Sequence, residues 1–242
     1  MLIVPYSERP DLVERLGEVG EVWPQFIHHT GEPFNSRWRR VWREFPDHQL
    51  ILYEEETDTV IGRGQTIPFR WDGGFADLPN GVEGVLERVF EEGGEPTALS
   101  ALVAIVDPRY QGRGLSRMVI EGMRGIAARD GLQALVAPVR PTVKARYPLT
   151  PMERYLTWRR DDGELFDPWL RVHERLGAEI LGVCPGSLRV TGTGAEWEEW
   201  TGLSFPDSGS YMVEGALVPV EFDRERDEGR YVEPNVWMRH PV

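Results

Sequence analysis

The centre of the chain reads Ala98-Leu-Ser-Ala-Leu-Val-Ala-Ile-Val106, a nearly continuous apolar run. A run of this kind, without alternation of polar and apolar residues, is typical of a strand buried on both faces of a sheet. A polar, glycine-rich turn follows over residues 107–114, and the stretch 115–129 then carries its apolar side chains on one helical face. A second apolar run at 132–139 completes the unit. This order predicts two neighbouring parallel strands joined by a crossover helix.

Further strand and helix signals lie on both sides of this unit. Two β-rich runs, 48–56 and 59–70, are separated by Thr57-Asp58 and predict a hairpin before the central strand. The later elements are a helix over 167–176, a strand over 178–184, a short capped helix from Thr193 and a hairpin over 211–239. The sequence therefore predicts an α/β fold of the mixed α+β kind. Its central mixed, partly parallel β-sheet is flanked by helices, with an added C-terminal β-hairpin region.

The length of 242 residues fits one large domain, or one domain with an added lobe. We expect the main domain over residues 1–185. Residues 186–242 are expected to form a C-terminal extension, a short helix plus a β-hairpin, packed on the same domain. Residues 140–165 are rich in Pro, Arg and Trp and show no clear periodicity.

The composition excludes several classes of partner and site. The chain has 27 basic and 40 acidic residues, a formal net charge of −13, which disfavours nucleic acid and anionic membrane surfaces. No apolar stretch reaches the roughly 18 residues of a membrane span and no signal peptide is visible, so we expect a cytoplasmic protein. Cys184 is the only cysteine, which excludes an intrachain disulfide and a thiolate zinc cluster, and we predict no metal site. Lys144 is the only lysine among the basic residues.

The turn after the central strand reads Gln111-Gly-Arg-Gly114-Leu-Ser116 and opens the following helix. Free N–H groups at a helix start point outward, the helix dipole adds positive potential, and glycines let phosphate oxygens approach the main chain. Arg109, Arg113 and Arg117 fall four residues apart around the same turn. In a chain of net charge −13, this local cationic cluster indicates a phosphate-bearing ligand. The third glycine of the dinucleotide fingerprint and the lysine of a P-loop are both missing.

This turn resembles the coenzyme A-binding motif of the GCN5-related N-acetyltransferase (GNAT) superfamily, Gln/Arg-x-x-Gly-x-Gly/Ala. The buried strand, Pro108, Gln111, Gly114 and the following amphipathic helix agree with it. Ser116 departs from the glycine or alanine of the last position, but serine is small enough for the helix to approach a pyrophosphate. The resemblance covers roughly residues 48–185, in the family's order of elements, and it makes residues 1–185 an acyl-CoA-binding domain.

A second family motif is matched in its tail. Members often carry Asn-x-x-Ala-x-x-aromatic-Tyr-x-x-x-Gly, and the stretch here ends in His173-Glu-Arg-Leu-Gly177. Phe166 replaces the asparagine, Trp169 the alanine, and His173 the tyrosine that many members use as a general acid toward the departing thiolate. The resemblance implies His173 as that acid, since an unperturbed histidine has a pKa near ~6.5. A histidine held between helix and sheet for packing is the alternative.

The resemblance implies an acyl-CoA-dependent N-acyltransferase. It would move an acetyl group from acetyl-CoA directly to the amine of a small molecule, with no covalent enzyme intermediate. Backbone groups of Ile105 and Val106 would bind the pantetheine arm, and the N–H groups of residues 112–116 the pyrophosphate. The motif positions expected to bind the coenzyme are Gln111, Gly112, Arg113, Gly114, Leu115 and Ser116. Ser100 stands where some members carry a carboxylate base, and it is a candidate for holding a water.

Two other interpretations stay open on the sequence alone. The missing strand carboxylate and the altered second motif favour a non-catalytic acyl-CoA-binding module on the same fold. An interaction protein that uses the fold as a scaffold, with the C-terminal hairpin as a homodimer surface, is a third. Fold alone does not choose among them. Of the other carboxylates considered as a base, the run 54–56 is typical of a solvated face and Asp107 of a turn.

Overall fold

A nine-stranded mixed sheet organises the chain, and the computed structural model describes residues 1–242. The strands are β1 (Leu2–Pro5), β2 (Gln49–Glu54), β3 (Thr59–Phe69), β4 (Ala98–Val106), β5 (Ala134–Val139), β6 (Glu179–Gly192), β7 (Gly209–Tyr211), β8 (Val220–Asp223) and β9 (Glu228–Pro241). They follow the order β1-β2-β3-β4-β5-β9-β8-β7, with β6 also paired to β9. β4 and β5 are parallel and the other pairs are antiparallel. The predicted mixed, partly parallel sheet is confirmed.

Helices cover both faces of this sheet. They are α1 (Pro10–Val13), α2 (Phe34–Glu44), α3 (Gly81–Glu87), α4 (Leu115–Arg129), α5 (Met152–Tyr155), α6 (Pro168–Arg175) and α7 (Gly194–Thr201). α4 packs its apolar stripe, including Val119 and Met123, against Leu99 and Leu135 on one face, here called the α4 face. α2 and α3 pack on the opposite face, here called the α2 face. Each fully buried side chain of this size stabilises the fold by about 1.5–3 kcal/mol. None of the helices is both long and apolar enough to cross a lipid bilayer.

The C-terminal segment is part of the central sheet. The boundary expected at residue 185 falls inside β6, and β9 forms ladders with both β5 and β6. The predicted hairpin is present as β8 and β9, yet β9 also fills the centre of the sheet, where its apolar residues 236–238 are buried. The segment after β5 is tied to the same region, since Arg140 Nε donates to Glu233 Oε2 (2.9 Å). Residues 186–242 therefore complete the sheet, because β6 pairs only with β9 and β5 has β9 as its second neighbour.

Candidate active site

β4 and β5 diverge soon after they begin. Two residue pairs join them, the second being Ser100–Val136, although β4 continues to Val106. On its other edge β4 keeps its ladder with β3, except at Leu102, which is an extra residue without a partner. A bulge of this kind bends the strand and interrupts its pairing. Beyond Ser100, the free edge of β4 therefore borders a cleft between β4 and β5.

Main-chain groups of β4 face this cleft in alternation. The N–H of Asp107 donates to the Ile61 carbonyl of β3 (2.8 Å), so by the alternation of a strand Ile105 also directs its main chain to β3. Ala104 and Val106 direct theirs to the free edge, and the Val106 carbonyl accepts a bond from the Gln111 side chain (3.2 Å). Ile105 and Val106 were both predicted to bind pantetheine. The main chain of Val106 lines the cleft, whereas the main chain of Ile105 belongs to the ladder with β3.

The turn between β4 and α4 carries a series of unpartnered N–H groups. Gly112 (φ 77°) and Gly114 (φ 75°) are left-handed, and a methyl group at either position would meet no other part of the protein within 4 Å. The N–H groups of residues 112–116 have no acceptor in the protein. They lie at the start of α4, where the helix dipole is positive. Consecutive free N–H groups of this kind fit an anionic ligand such as a pyrophosphate.

The three arginines around this turn differ in their partners. Arg109 donates to Asp107 through Nε and Nη2 (2.9 and 2.8 Å), and Arg117 donates to Glu121 (2.7 Å). Arg113 is exposed and forms no ion pair with a carboxylate. Arg113 is therefore the one arginine of the three whose charge is not offset by a carboxylate in the protein.

Asp107 anchors the N-terminal segment to the end of β4. Its carboxylate has no exposed surface and accepts bonds from the N–H groups of Gly20 (2.9 Å) and Arg109 (2.8 Å) as well as from the Arg109 guanidinium. That guanidinium holds the pKa of the Asp107 carboxyl well below its usual range, against the opposing effect of burial. A carboxylate bound in this way is a poor proton acceptor. No three His, Cys, Asp or Glu side chains are arranged to hold a metal ion.

His173 and His240 form a buried pair on the α4 face. Nδ1 of His173 lies 2.8 Å from Nε2 of His240, and the other nitrogen of each ring has no partner. Burial, with the neighbouring His240, lowers the pKa of His173 to about 3, and burial lowers that of His240 to about 4. Both rings are therefore neutral at pH 7. His173 can donate a hydrogen bond there, but it does not carry the extra proton of an imidazolium.

Ser100 lies on the opposite face of the sheet. It is fully buried on β4 between Ala98 and Leu102, which pack on the α2 face, and its hydroxyl makes one 3.4 Å contact with the Ala101 carbonyl. His240, by contrast, sits opposite Leu135 in the β5–β9 ladder, on the α4 face. The structure therefore does not bring the two residues predicted to be catalytic together.

Three polar side chains that the sequence analysis missed meet on the α2 face. Tyr6 and Gln65 are buried, and the Tyr6 hydroxyl lies near the Gln65 amide and the Arg63 guanidinium without a well-formed hydrogen bond to either. The available signal was the alternation Gly62-Arg-Gly-Gln65 inside a β-rich run. Small residues face α4 there, and polar residues face the other way.

A curated relative matches nearly the whole chain, whereas no protein-family model does. The arginine N-acetyltransferase avaD of Aspergillus versicolor is 32% identical, over 98% of this chain and 92% of that protein. Identity at this level and coverage shows common descent, and it carries the assignment of the reaction.

Solved structures show the same fold at lower identity. The loading GNATL domain of CurA from Lyngbya majuscula has a TM-score of 0.58 at 19% identity, over 99% of this chain and 96% of that one. The GphF GNAT-like decarboxylase, solved with isobutyryl-CoA, has a TM-score of 0.54 at 18% identity, over 100% and 99%. One fold hosts different reactions, so these likenesses establish the fold alone. With the avaD relative, they place this chain in the GNAT superfamily as an acyl-CoA-dependent N-acetyltransferase.

Proposed function

We propose that this enzyme acetylates arginine, or a closely similar amino acid, with acetyl-CoA as the donor. The observation that carries the donor site is the set of unpartnered N–H groups at residues 112–116 beside the unpaired Arg113. The acceptor is proposed from the avaD relative, an arginine N-acetyltransferase. A net charge of −13 also favours the approach of a cationic small molecule. We also propose that the enzyme acts in the cytoplasm. The homodimer expected from the sequence stays a prediction.

Acetyl-CoA supplies the acyl group as a thioester, and the turn is built to receive its phosphates. The N–H groups of residues 112–116 and the Arg113 guanidinium hold the pyrophosphate. Gly112 and Gly114 keep the approach clear, Leu115 fixes the helix start in the core, and Ser116 is half-buried in the first turn of the helix. Ala104 and Val106 offer their main chain to the pantetheine arm in place of Ile105, and Gln111 steadies the turn through the Val106 carbonyl.

The transfer is direct. The amine nitrogen bonds to the acyl carbon, the carbon–sulfur bond breaks, the amine gives up a proton and the thiolate takes one from solvent. When His240 Nε2–H donates to His173 Nδ1, His173 carries its hydrogen on Nε2 and would donate a hydrogen bond to the leaving thiolate without giving up that proton. For the proton of the amine we propose a separate place on the α2 face, apart from His173. There the buried Ser100 hydroxyl, whose one contact is 3.4 Å to the Ala101 carbonyl, would hold the accepting water.

Thermal unfolding with acetyl-CoA tests the donor site. Gly114→Glu places a carboxylate among the free N–H groups, so it should abolish the rise in Tm that acetyl-CoA causes by mass action. Gly131→Glu is the matched control, because Gly131 has a similar left-handed backbone (φ 68°) and open surroundings just beyond the other end of α4. Both substitutions introduce a backbone strain of about 1–2 kcal/mol. Equal loss of the shift in both variants, or an unchanged wild-type Tm at millimolar acetyl-CoA, would contradict the assigned site.

Release of free thiol tests the acceptor. L-Arginine added to enzyme and acetyl-CoA should release thiol stoichiometrically with N-acetylarginine. A thermal shift without thiol release across a broad panel of amines would instead indicate the non-catalytic acyl-CoA-binding module.

A further inference from the structure

Tyr6, Arg63 and Gln65 leave four buried polar atoms without a hydrogen-bond partner. These atoms are the Tyr6 hydroxyl, Arg63 Nε, and both Nε2 and Oε1 of Gln65. Gln65 has no exposed surface and Tyr6 retains 3%. Buried polar groups in folded proteins are nearly always paired, so a concentration of unpaired ones indicates a place made to bind something polar.

The cluster lies beside the catalytic cleft. Gln65 is the ladder partner of Val103 in β4, next to the bulge at Leu102, and Arg63 is the partner of Ile105. A methyl group at Gly64 would come within 2.8 Å of α4 side chains, so its strand neighbours, Arg63 and Gln65, point to the α2 face. One strand spacing of about 4.8 Å separates them from β4, and the free edge of β4 borders the cleft.

The unpaired atoms have a distinctive chemistry. Arg63 Nε, the Tyr6 hydroxyl and Gln65 Nε2 are donors, and one of them carries a positive charge, whereas Gln65 Oε1 is an acceptor. Burial raises the pKa of Tyr6 to about 12, so its hydroxyl keeps the proton that it donates. A carboxylate can accept hydrogen bonds from these three donors, and Gln65 Oε1 can accept one from the N–H of an adjacent amine.

We propose that Tyr6, Arg63 and Gln65 bind the carboxylate of an α-amino acid acceptor and thereby direct acetylation to its α-amine. This inference rests on the proposed function, since it assigns the acceptor subsite of that reaction. The α-amine is only two bonds from the carboxylate carbon, so anchoring one places the other within the short distance from β3 to the cleft. An amine at the far end of a long side chain is displaced from the cleft by the same anchor.

Glu21, a carboxylate that feels the charge of Arg63, does not occupy this position. Glu21 lies close enough to Arg63 to feel its charge, but it forms no ion pair with it. Its side chain is 63% exposed, its Oε1 accepts from the N–H groups of Val22 and Trp23 (3.0 Å each), and its Oε2 lies 3.2 Å from His28 Nε2. Arg63 Nε is therefore left for a ligand.

Paired substrates with and without the carboxylate test the subsite. The wild type should acetylate L-arginine with a kcat/KM at least about tenfold above that for agmatine, which is arginine without its carboxylate. Tyr6→Phe removes only an unpartnered hydroxyl, so the fold and the acetyl-CoA thermal shift should be unchanged while KM for L-arginine rises about tenfold. Arg63→Gln should lower kcat/KM for L-arginine by at least about tenfold and leave agmatine within about twofold.

The control and the contrary outcomes are distinct. Arg189→Gln removes an exposed strand arginine that forms no ion pair, and it should change neither substrate. Equal use of both substrates by the wild type, or equal losses for both in Arg63→Gln, would overturn the subsite and leave the proposed function standing. No thiol release with either compound, alongside an intact acetyl-CoA shift, would overturn the proposed acceptor and the subsite together.

Discussion

Lys144, the only lysine of the chain, is fully buried and has no carboxylate partner. Its ammonium donates to the carbonyls of Tyr147 (2.9 Å) and Leu217 (2.6 Å), which ties the segment after β5 to the C-terminal region. Burial lowers the pKa of Lys144 from 10.5 to about 8. We predict that this side chain makes the folded enzyme more stable as the pH rises above neutrality.

The size and sign of this pH effect follow from the different proton binding of the folded and unfolded chain. Because the folded pKa lies below the unfolded one, the unfolded chain binds more protons between pH 8 and 10.5, and the free energy of unfolding rises with pH in that window. The full shift corresponds to roughly 3 kcal/mol, of which about 2 kcal/mol should be gained between pH 7 and 9.5. Burial raises the pKa of Cys184 from 9.0 to about 11, so this thiol opposes part of the gain near pH 9. Above pH 10 the buried tyrosines Tyr6 and Tyr155, whose pKa values are also raised, oppose it further, so the measurement stops at pH 9.5.

Urea unfolding of the wild type and Lys144→Met at pH 7 to 9.5 measures the effect. At pH 7 the variant loses two hydrogen bonds but also a buried charge, which act in opposite directions, so the decisive quantity is the slope with pH. Because Cys184 and the other titrating groups are common to both proteins, the wild type should gain about 2 kcal/mol more than the variant over this range. Identical slopes would refute the reasoning.

Amine labelling gives an independent check on burial. Lys144 is the single lysine of this sequence on which a lysine-reactive ester can act. In the native enzyme the peptide that carries Lys144 should stay unlabelled, and in the urea-unfolded chain it should take one label, as measured by mass spectrometry. Rapid labelling of this peptide in the native enzyme would show that Lys144 is open to solvent.

Two further predictions concern the turn and the histidine pair. Arg113→Gln should raise KM for acetyl-CoA about tenfold and weaken the salt dependence of KM. Arg117→Gln should change KM less than about twofold, because Arg117 is already paired with Glu121. Equal effects of the two substitutions in steady-state kinetics would contradict this prediction. Folding lowers the pKa values of His173 and His240 to about 3 and 4, so the unfolded chain takes up protons first as the pH drops below 6.5. The free energy of unfolding should therefore fall by about 1.4 kcal/mol per histidine per pH unit, down to about pH 4. Unfolding of the double Gln variant between pH 7 and 5 should show a shallower slope, and an unchanged slope would rule out this contribution.

The donor half of the site could be predicted because it is local in the chain. The apolar run 98–106, the glycines of residues 112–114 and the apolar stripe of α4 each follow from short-range rules, and all of them form as expected. Partners separated in sequence escaped prediction. The Asp107 carboxylate, for example, pairs with the nearby Arg109 but also accepts a bond from the N–H of Gly20, which reaches it from the N-terminal segment.

The proposed acceptor subsite could not be read from the sequence, because its three side chains come together only in the assembled sheet. Gly62-Arg-Gly-Gln65 looks like an ordinary polar interruption of a strand until pairing fixes its faces. Once β3 lies against β4, the glycines of β3 let α4 pack closely on one face of the sheet. The polar side chains of β3 are buried on the other face, beside Tyr6, which directly follows β1. An arginine or glutamine in contact with water needs no hydrogen-bond partner in the protein, whereas a buried one does. Burial therefore makes this strand a candidate subsite, because the unmet hydrogen bonds of Gln65 cost stability in the free enzyme that a bound polar acceptor would restore.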